Sequence, residues 1–308
     1  MAKEQGGNTV QFFRKGMSDS MQERLALEND LRRALTAGEF ELWFQPELSV
    51  KSGRIVAAEA LLRWRHPARG LIMPSLFVPL AEATGLMIPL GDWVMRGACR
   101  QVRAWYEAGS PPIRAAVNLS AIQFGHSSLV EVIRSALQAE ELDASCLEVE
   151  LTESAVMTSP EDSIATVKQL RKMGITVAID DFGTGYSSLS YLRRLRIDKL
   201  KIDRSFVRDL TGSGTDKSIV RAIVELAHSM GLNVVAEGVE TEEQLQSVHD
   251  LGRDIWQGFY RCDPQPAGVF ARMLAAESDT GKGSIAALGH SRLRSDLRLA
   301  GPVEREER

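Results

Sequence analysis

A repeated alternation of short strand-like and longer helix-like patterns limits what this 308-residue chain can fold into. Strand candidates lie at residues 41–47, 55–64, 114–119, 147–151, 176–181, 199–203, 233–237 and 254–258. Helical patterns at 75–83, 88–108, 129–140, 161–173, 188–194, 217–230, 242–251 and 267–276 separate all but the first two strands. Such alternation builds a parallel sheet, and eight strands in this length predict a closed α/β barrel of the TIM type. The first two strands break the pattern. Only residues 48–54 join them, too few for a parallel crossover. They are expected to form an antiparallel hairpin whose turn near Ser52 sets Gln45 beside Glu59. The fold class is therefore α/β, a (βα)8 barrel variant with its first strand antiparallel.

Composition excludes several function classes. The chain is 44% hydrophobic and 25% charged, an ordinary globular balance. A net charge of −4 without a basic run gives no electrostatic case for binding long nucleic acid. Cys99, Cys146 and Cys262 form no CxxC and point to reduced thiols in a cytoplasmic setting. No apolar run is long enough to span a bilayer and no signal-peptide core opens the chain, although a parent protein with a membrane anchor is compatible with this. Leu25, Leu27, Leu31 and Leu35 predict an amphipathic helix over 19–37, and the barrel is expected over 19–278. Residues 279–308 are expected to be a polar tail with a short helix near 291–299.

The chemistry lies in the parity of the strands. Side chains two apart share a face. The minority faces carry Gln45, Glu59, Asn118, Glu148, Glu150, Asp180, Lys201, Asp203, Glu237 and Gln257, and the opposite faces are mostly Val, Ile, Leu, Ala and Phe. In a barrel the apolar face meets the helices and the other looks inward. Gathered carboxylates repel one another and are costly to bury, a cost that cations remove. The set is all oxygen, without His or Cys, which favours Mg²⁺ or Mn²⁺ over zinc. Two such ions could activate a water and stabilise the attacking and leaving oxygens of a phosphodiester, with Lys201 orienting the water or stabilising developing charge. Singly, each residue has a plainer reading: Asp181 as a helix cap, Lys201–Asp203 as an ion pair, Asn118 as a turn residue, Gly183 and Gly185 as bearers of positive φ. Several strands obeying one parity with one chemistry favour the metal site.

The motifs, in order, are Gln45-Pro46, Glu59-Ala60-Leu61, Val117-Asn118-Leu119-Ser120, Glu150-Leu151-Thr152-Glu153, Asp180-Asp181-Phe182-Gly183-Thr184-Gly185, Leu200-Lys201-Ile202-Asp203, Ala236-Glu237-Gly238 and Gln257-Gly258-Phe259. In these, residues 20–275 closely resemble the EAL-domain family, phosphodiesterases of the bacterial messenger cyclic di-GMP. The resemblance implies hydrolysis of one phosphodiester of cyclic di-GMP to linear pGpG. It implies metal ligation by Glu59, Asn118, Glu150, Asp180 and Glu237, with Asp181 and Asp203 near a second ion, and catalysis by Lys201 with Glu59 and Glu237. It implies dinucleotide contacts from Gln45, Leu62, Arg63, Asn118 and Gln257, and inhibition by Ca²⁺. Glu153 would hold the loop 181–188, including Phe182, Gly183, Thr184 and Gly185, which in the family links the metal site to a homodimer surface. Residues 2–13 resemble the end of a GGDEF cyclase domain, so residues 1–18 are expected to be a remnant of such an upstream domain and its linker. Two departures stand out: Phe259-Tyr260-Arg261-Cys262-Asp263-Pro264 in the last motif, and Arg253 where Cys is common, both expected to flank the substrate pocket. The competing readings are a catalytically silent cyclic di-GMP receptor and a different metal-dependent barrel enzyme.

Overall fold

The computed structural model describes residues 15–183, 189–211 and 214–279. The expectations for residues 1–14, the rest of the 184–188 loop and the tail from 280 lie outside the described residues. Ten strands are present: β1 Phe40–Ser49, β2 Ile55–His66, β3 Gly70–Ile72, β4 Arg114–Leu119, β5 Leu147–Thr152, β6 Thr176–Phe182, β7 Lys199–Ile202, β8 Asn233–Ala236, β9 Ile255–Trp256 and β10 Gln265–Pro266. The described residues divide into two compact units, one holding those up to residue 42 and 62–94, the other those of 43–61 and from 95 on.

The first unit is built on a small apolar core. Leu31, Ala34, Phe40, Trp64, Ile72, Phe77, Leu80 and Leu90 are buried together. Phe40 packs 5.8 Å from both Trp64 and Phe77, and Trp64 donates its indole N–H to Glu39 at 2.9 Å. The helix Lys15–Ala37 begins four residues before the expected start at residue 19. It buries Leu31 and Ala34 and packs Leu27 and Leu35 beside them, while Leu25 is 53% exposed. Positions 27, 31, 34 and 35 form one helical stripe, and residue 25 stands about 200° away from 27 at 100° per residue.

The second unit is the closed barrel. Strand order runs β1-β9-β8-β7-β6-β5-β4-β2, and pairing of β1 with β2 closes it. β2 and β4 to β9 pair in parallel. β1 runs antiparallel to β9, with Leu48 opposite Trp256 and Ser49 opposite Ile255. The short 48–54 connection thus reverses the chain as expected, through a turn in which Gly53 N–H donates to the Ser49 carbonyl at 2.8 Å. The flanking helices carry ordinary end signals. Pro160 opens the helix Pro160–Met173, Glu161 and Asp162 fill its first turn, Arg171 and Lys172 its last, and Gly174 ends it at φ 98°. Thr241 and Gln244 form a capping box on the helix Glu242–Asp250.

Parity along β1 and β7 sets the barrel's two faces. Phe44 is fully buried against Trp105, at 4.9 Å, and lies 5.9 Å from Phe270, on the helix side of β1. Gln45 and Glu47 have the other parity, as do Lys199 and Lys201 relative to Leu200 and Ile202. Three expected strands are shorter than their patterns. Glu237, Asp254 and Gln257 continue the ladder by single backbone bonds, but Asp203 leaves it to cap the helix Arg204–Arg208. The edge strands β3 and β10 and the short helices Ala121–Phe124 and Glu153–Met157 are additions of two to five residues, too short for periodicity to reveal.

Gly258 is required where β9 passes the β8 loop. A Cβ there would meet the Val239 carbonyl oxygen at 2.1 Å and its nitrogen at 2.3 Å. Gly258→Ala is therefore expected to cost about 1–3 kcal/mol, as overpacking against rigid backbone does. Urea denaturation measures it, and an unchanged midpoint contradicts the close approach.

Candidate metal centre

Lys201 stands at the centre of the barrel interior. It is fully buried, and its ammonium lies 2.7 Å from Glu237, 2.9 Å from Glu150, 3.7 Å from Asp180 and 3.9 Å from Glu59. Four carboxylates from β2, β5, β6 and the end of β8 thus converge on one cation. Burial opposes the charge of Lys201, but Asp180, Glu150, Glu237 and Glu59 hold it protonated, well above the usual lysine range. The acids respond in the opposite sense. Burial raises Glu150 well above the ordinary carboxylate range. Burial, with Asp180 and Glu59 adding to it and Lys201 opposing, pushes Glu237 up to about 8.

Glu59 is held from both sides. Asn118 Nδ2 donates to its Oε1 at 2.6 Å and Gln257 Nε2 to its Oε2 at 2.6 Å. Gln257 also donates to Gln45 Oε1 at 3.0 Å, and Gln45 donates to the Cys262 carbonyl at 3.4 Å. Gln45 and Gln257, expected at the dinucleotide, are buried, and Gln257 bonds both Gln45 and Glu59. The expected adjacency of Gln45 and Glu59 runs through Gln257. Asn118 leaves its amide oxygen for another partner.

Asp180 and Asp181 reach the same group of acids by a bulge. In regular strand geometry they would face opposite sides. Here the β6–β7 register shifts between Ile179 and Phe182, and Asp181 adopts φ 55°. Asp180, Asp181 and Glu237 consequently bring carboxylate oxygens within 4.8 Å of one another. Burial and the charges of Asp180 and Asp203 raise Asp181. Asp203 itself is a helix cap, accepting from Ser205 N–H at 3.0 Å, and is not one of the three clustered acids. The helix-cap role expected in the plainer reading of Asp181 is filled at Asp203. The possible Lys201–Asp203 pair is replaced by the four pairs above.

Beyond the bulge, Gly183 has φ 101°, and a Cβ on it would meet the Phe206 ring at 2.8 Å. Its N–H donates to buried Glu153 at 3.3 Å, which ties residue 183 of the loop to Glu153. Thr184 and Gly185 lie outside the described residues. Leu62 and Arg63 belong to the first unit, where the buried Arg63 donates to the Leu62 carbonyl at 2.9 Å. Arg253 precedes β9 and Gln257 follows it. Among the described residues no group pairs with its guanidinium, and burial lowers it to about 10.

Sequence parity missed a second charged layer. Lys199, two residues before Lys201, lies 2.9 Å from Glu47 and 2.7 Å from Glu148, and all three are buried. The Lys-x-Lys spacing of β7 carries that signal, since both lysines must share a face.

The donor set fits hard divalent cations. Both oxygens of Glu150 are buried and meet no hydrogen-bond donor among the described residues beyond the Lys201 ammonium. The clustered ligands of Asp180, Asp181 and Glu237 are all oxygen.

The EAL domain profile matches residues 28–264. The chain belongs to the EAL domain family. It is 47% identical over 266 residues to the bifunctional diguanylate cyclase/cyclic di-GMP phosphodiesterase MucR of Pseudomonas aeruginosa, covering 86% of this chain and 39% of that protein. It is 43% identical over 271 residues to the cyclic di-GMP phosphodiesterase NbdA of the same organism, covering 88% and 35%. The chain thus spans well under half the length of these relatives. Among solved EAL structures, the PaMucR phosphodiesterase in complex with c-di-GMP superposes with a TM-score of 0.77 at 46% identity, covering 80% of this chain and 99% of that one. The EAL enzyme Bd1971, in its cAMP and cyclic-di-GMP bound form, gives 0.79 at 33% identity, covering 84% and 71%.

Raised carboxyls favour the protonated folded state. Without metal, the Glu237 contribution therefore falls as pH rises from 4.5, its ordinary value, through about 8. Thermal unfolding in chelator should give a lower Tm at pH 8 than at pH 6, reversed at pH 8 by Mg²⁺. Glu237→Gln should flatten that slope, and a slope unchanged by the substitution contradicts the assignment.

Proposed function

We propose that this EAL domain hydrolyses cyclic di-GMP to linear pGpG. One observation carries the reading: Lys201 is held protonated in the barrel interior by four converging carboxylates, in a set suited to divalent cations. The names of MucR and NbdA, and the c-di-GMP complex of the MucR domain, supply the substrate class.

Glu59, Asn118, Glu150, Asp180 and Glu237 would hold Mg²⁺ or Mn²⁺, with Asp181 and Asp203 near a second ion. When bound, such ions supply positive charge to the phosphate oxygens and acidify water. The chain's own groups do the rest. Lys201 donates to the attacking water and aligns it with phosphorus. Glu237, 2.7 Å from Lys201, holds that ammonium in place, and the proton the water loses passes to solvent. The new bond is water oxygen to phosphorus, and the bond broken is phosphorus to the ribose 3′ oxygen, which leaves as a hydroxyl after gaining a proton. Asn118 and Gln257 keep Glu59 oriented, and Arg63 with Leu62 contacts the dinucleotide. Ca²⁺ would fill the same ligands without supporting turnover.

The loop from Asp181 to Ser188, held by Glu153, would form the homodimer surface. A diguanylate cyclase domain upstream, as the MucR name implies for that protein, would be this domain's partner in a longer chain. Among the described residues no helix is long and apolar enough to cross a membrane. The catalytic domain is expected in the cytoplasm, where its substrate is made.

Purified protein incubated with cyclic di-GMP and Mg²⁺ or Mn²⁺ should yield pGpG by chromatography. Lys201→Met should reduce kcat by about 10²–10³-fold, the cost of removing one preorganised donor. Binding of cyclic di-GMP without product in either metal would replace the enzyme with the receptor reading.

A further inference from the structure

The two lysines of β7 define two stacked charge layers, and Glu150 belongs to both. In the inner layer Lys199 bridges Glu47 at 2.9 Å and Glu148 at 2.7 Å. In the outer layer Lys201 bridges Glu150 and Glu237. Oxygens of Glu47, Glu148 and Glu150 all lie within 4.8 Å of one another. Glu150 is therefore crowded by two acids from one side while its partner Lys201 stands on the other. All of these groups except Glu237 are essentially out of solvent, so no bulk water screens them. Lys199 is the cation paired with both inner acids. Without it, the nearest ammonium on that face of the strand is Lys201, which the same acids would draw away from Glu237.

We propose that Lys199 is a positioning residue for the reaction: by pairing with both Glu47 and Glu148 it leaves Glu150 and Lys201 to the catalytic layer. The role rests on the phosphodiesterase reading above, but its charge bookkeeping does not. A purely structural ion triad would contribute to stability and leave the metal site unaltered. A positioning role changes the metal site in opposite directions for opposite charge changes.

Lys199→Met keeps the length and apolar stem of the side chain and deletes the charge. It is expected to lower kcat by about tenfold or more with KM for cyclic di-GMP nearly unchanged, as misplacement of a reacting group does. Calorimetric titration with Mn²⁺, which needs no turnover, should show tighter binding in this variant because net negative charge is added beside Glu150. The triple change Glu47→Gln, Glu148→Gln and Lys199→Met removes the whole inner layer. It leaves this layer uncharged instead of at one net negative charge, so it should return kcat to within about threefold of the unaltered protein and set Mn²⁺ affinity between those of the unaltered protein and of the variant with Glu47→Gln and Glu148→Gln alone. The double change Glu47→Gln and Glu148→Gln leaves Lys199 as an uncompensated ammonium that seeks Glu150. It should weaken Mn²⁺ binding by about tenfold.

A folded Lys199→Met protein with unaltered kcat and Mn²⁺ affinity overturns the proposal. Should that variant fail to fold, unaltered Mn²⁺ affinity in the double Gln variant overturns it equally. Absence of turnover in the unaltered protein would defeat the phosphodiesterase reading alone, because the Mn²⁺ comparison would still decide the role of Lys199.

Discussion

Buried like charge is the constraint around which this barrel is built. Four carboxylates meet Lys201, and two more meet Lys199, inside a closed sheet. A carboxylate removed from water without a partner is costly by several kcal/mol. Two ammonium groups cannot balance six acids. The inner layer is nearly closed by its own lysine, while the outer layer keeps an excess of negative charge. That excess falls where strands end and loops begin, the end of a βα barrel at which ligands are bound.

The local backbone serves the same end. The β6 bulge turns Asp181 toward Asp180 and Glu237, at the expense of a left-handed conformation on a non-glycine residue. Gly183, next in line, must pass Phe206 too closely for a side chain, and Gly258 must pass Val239. Gln257, placed by that passage, holds Glu59 together with Asn118. A carboxylate fixed by two donors keeps one orientation before any ligand arrives, the preorganisation that electrostatic catalysis relies on.

Much of this was legible in the sequence because period two and short connections are strict rules. The reversed first strand followed from a seven-residue link, and the inward acids followed from parity. What escaped did so for physical reasons. Asp181 sits in a bulge, where parity fails. Asp203 left its strand because an Asp oxygen caps the next helix better than it extends a ladder. Lys199 shares a face with Lys201 by its spacing, but its partners Glu47 and Glu148 come from strands far away in the chain. Leu25 fell off the helical stripe by a residue count that periodicity should have caught.

The central claim is that divalent cations complete the outer acid layer. Anomalous diffraction from crystals grown with Mn²⁺ tests it most directly. The expected result is Mn²⁺ bound by Glu59, Asn118, Glu150, Asp180 and Glu237, at about 2.0–2.3 Å from their oxygens. Crystals saturated with Mn²⁺ that show no anomalous peak within reach of Glu150 and Glu237 would contradict it.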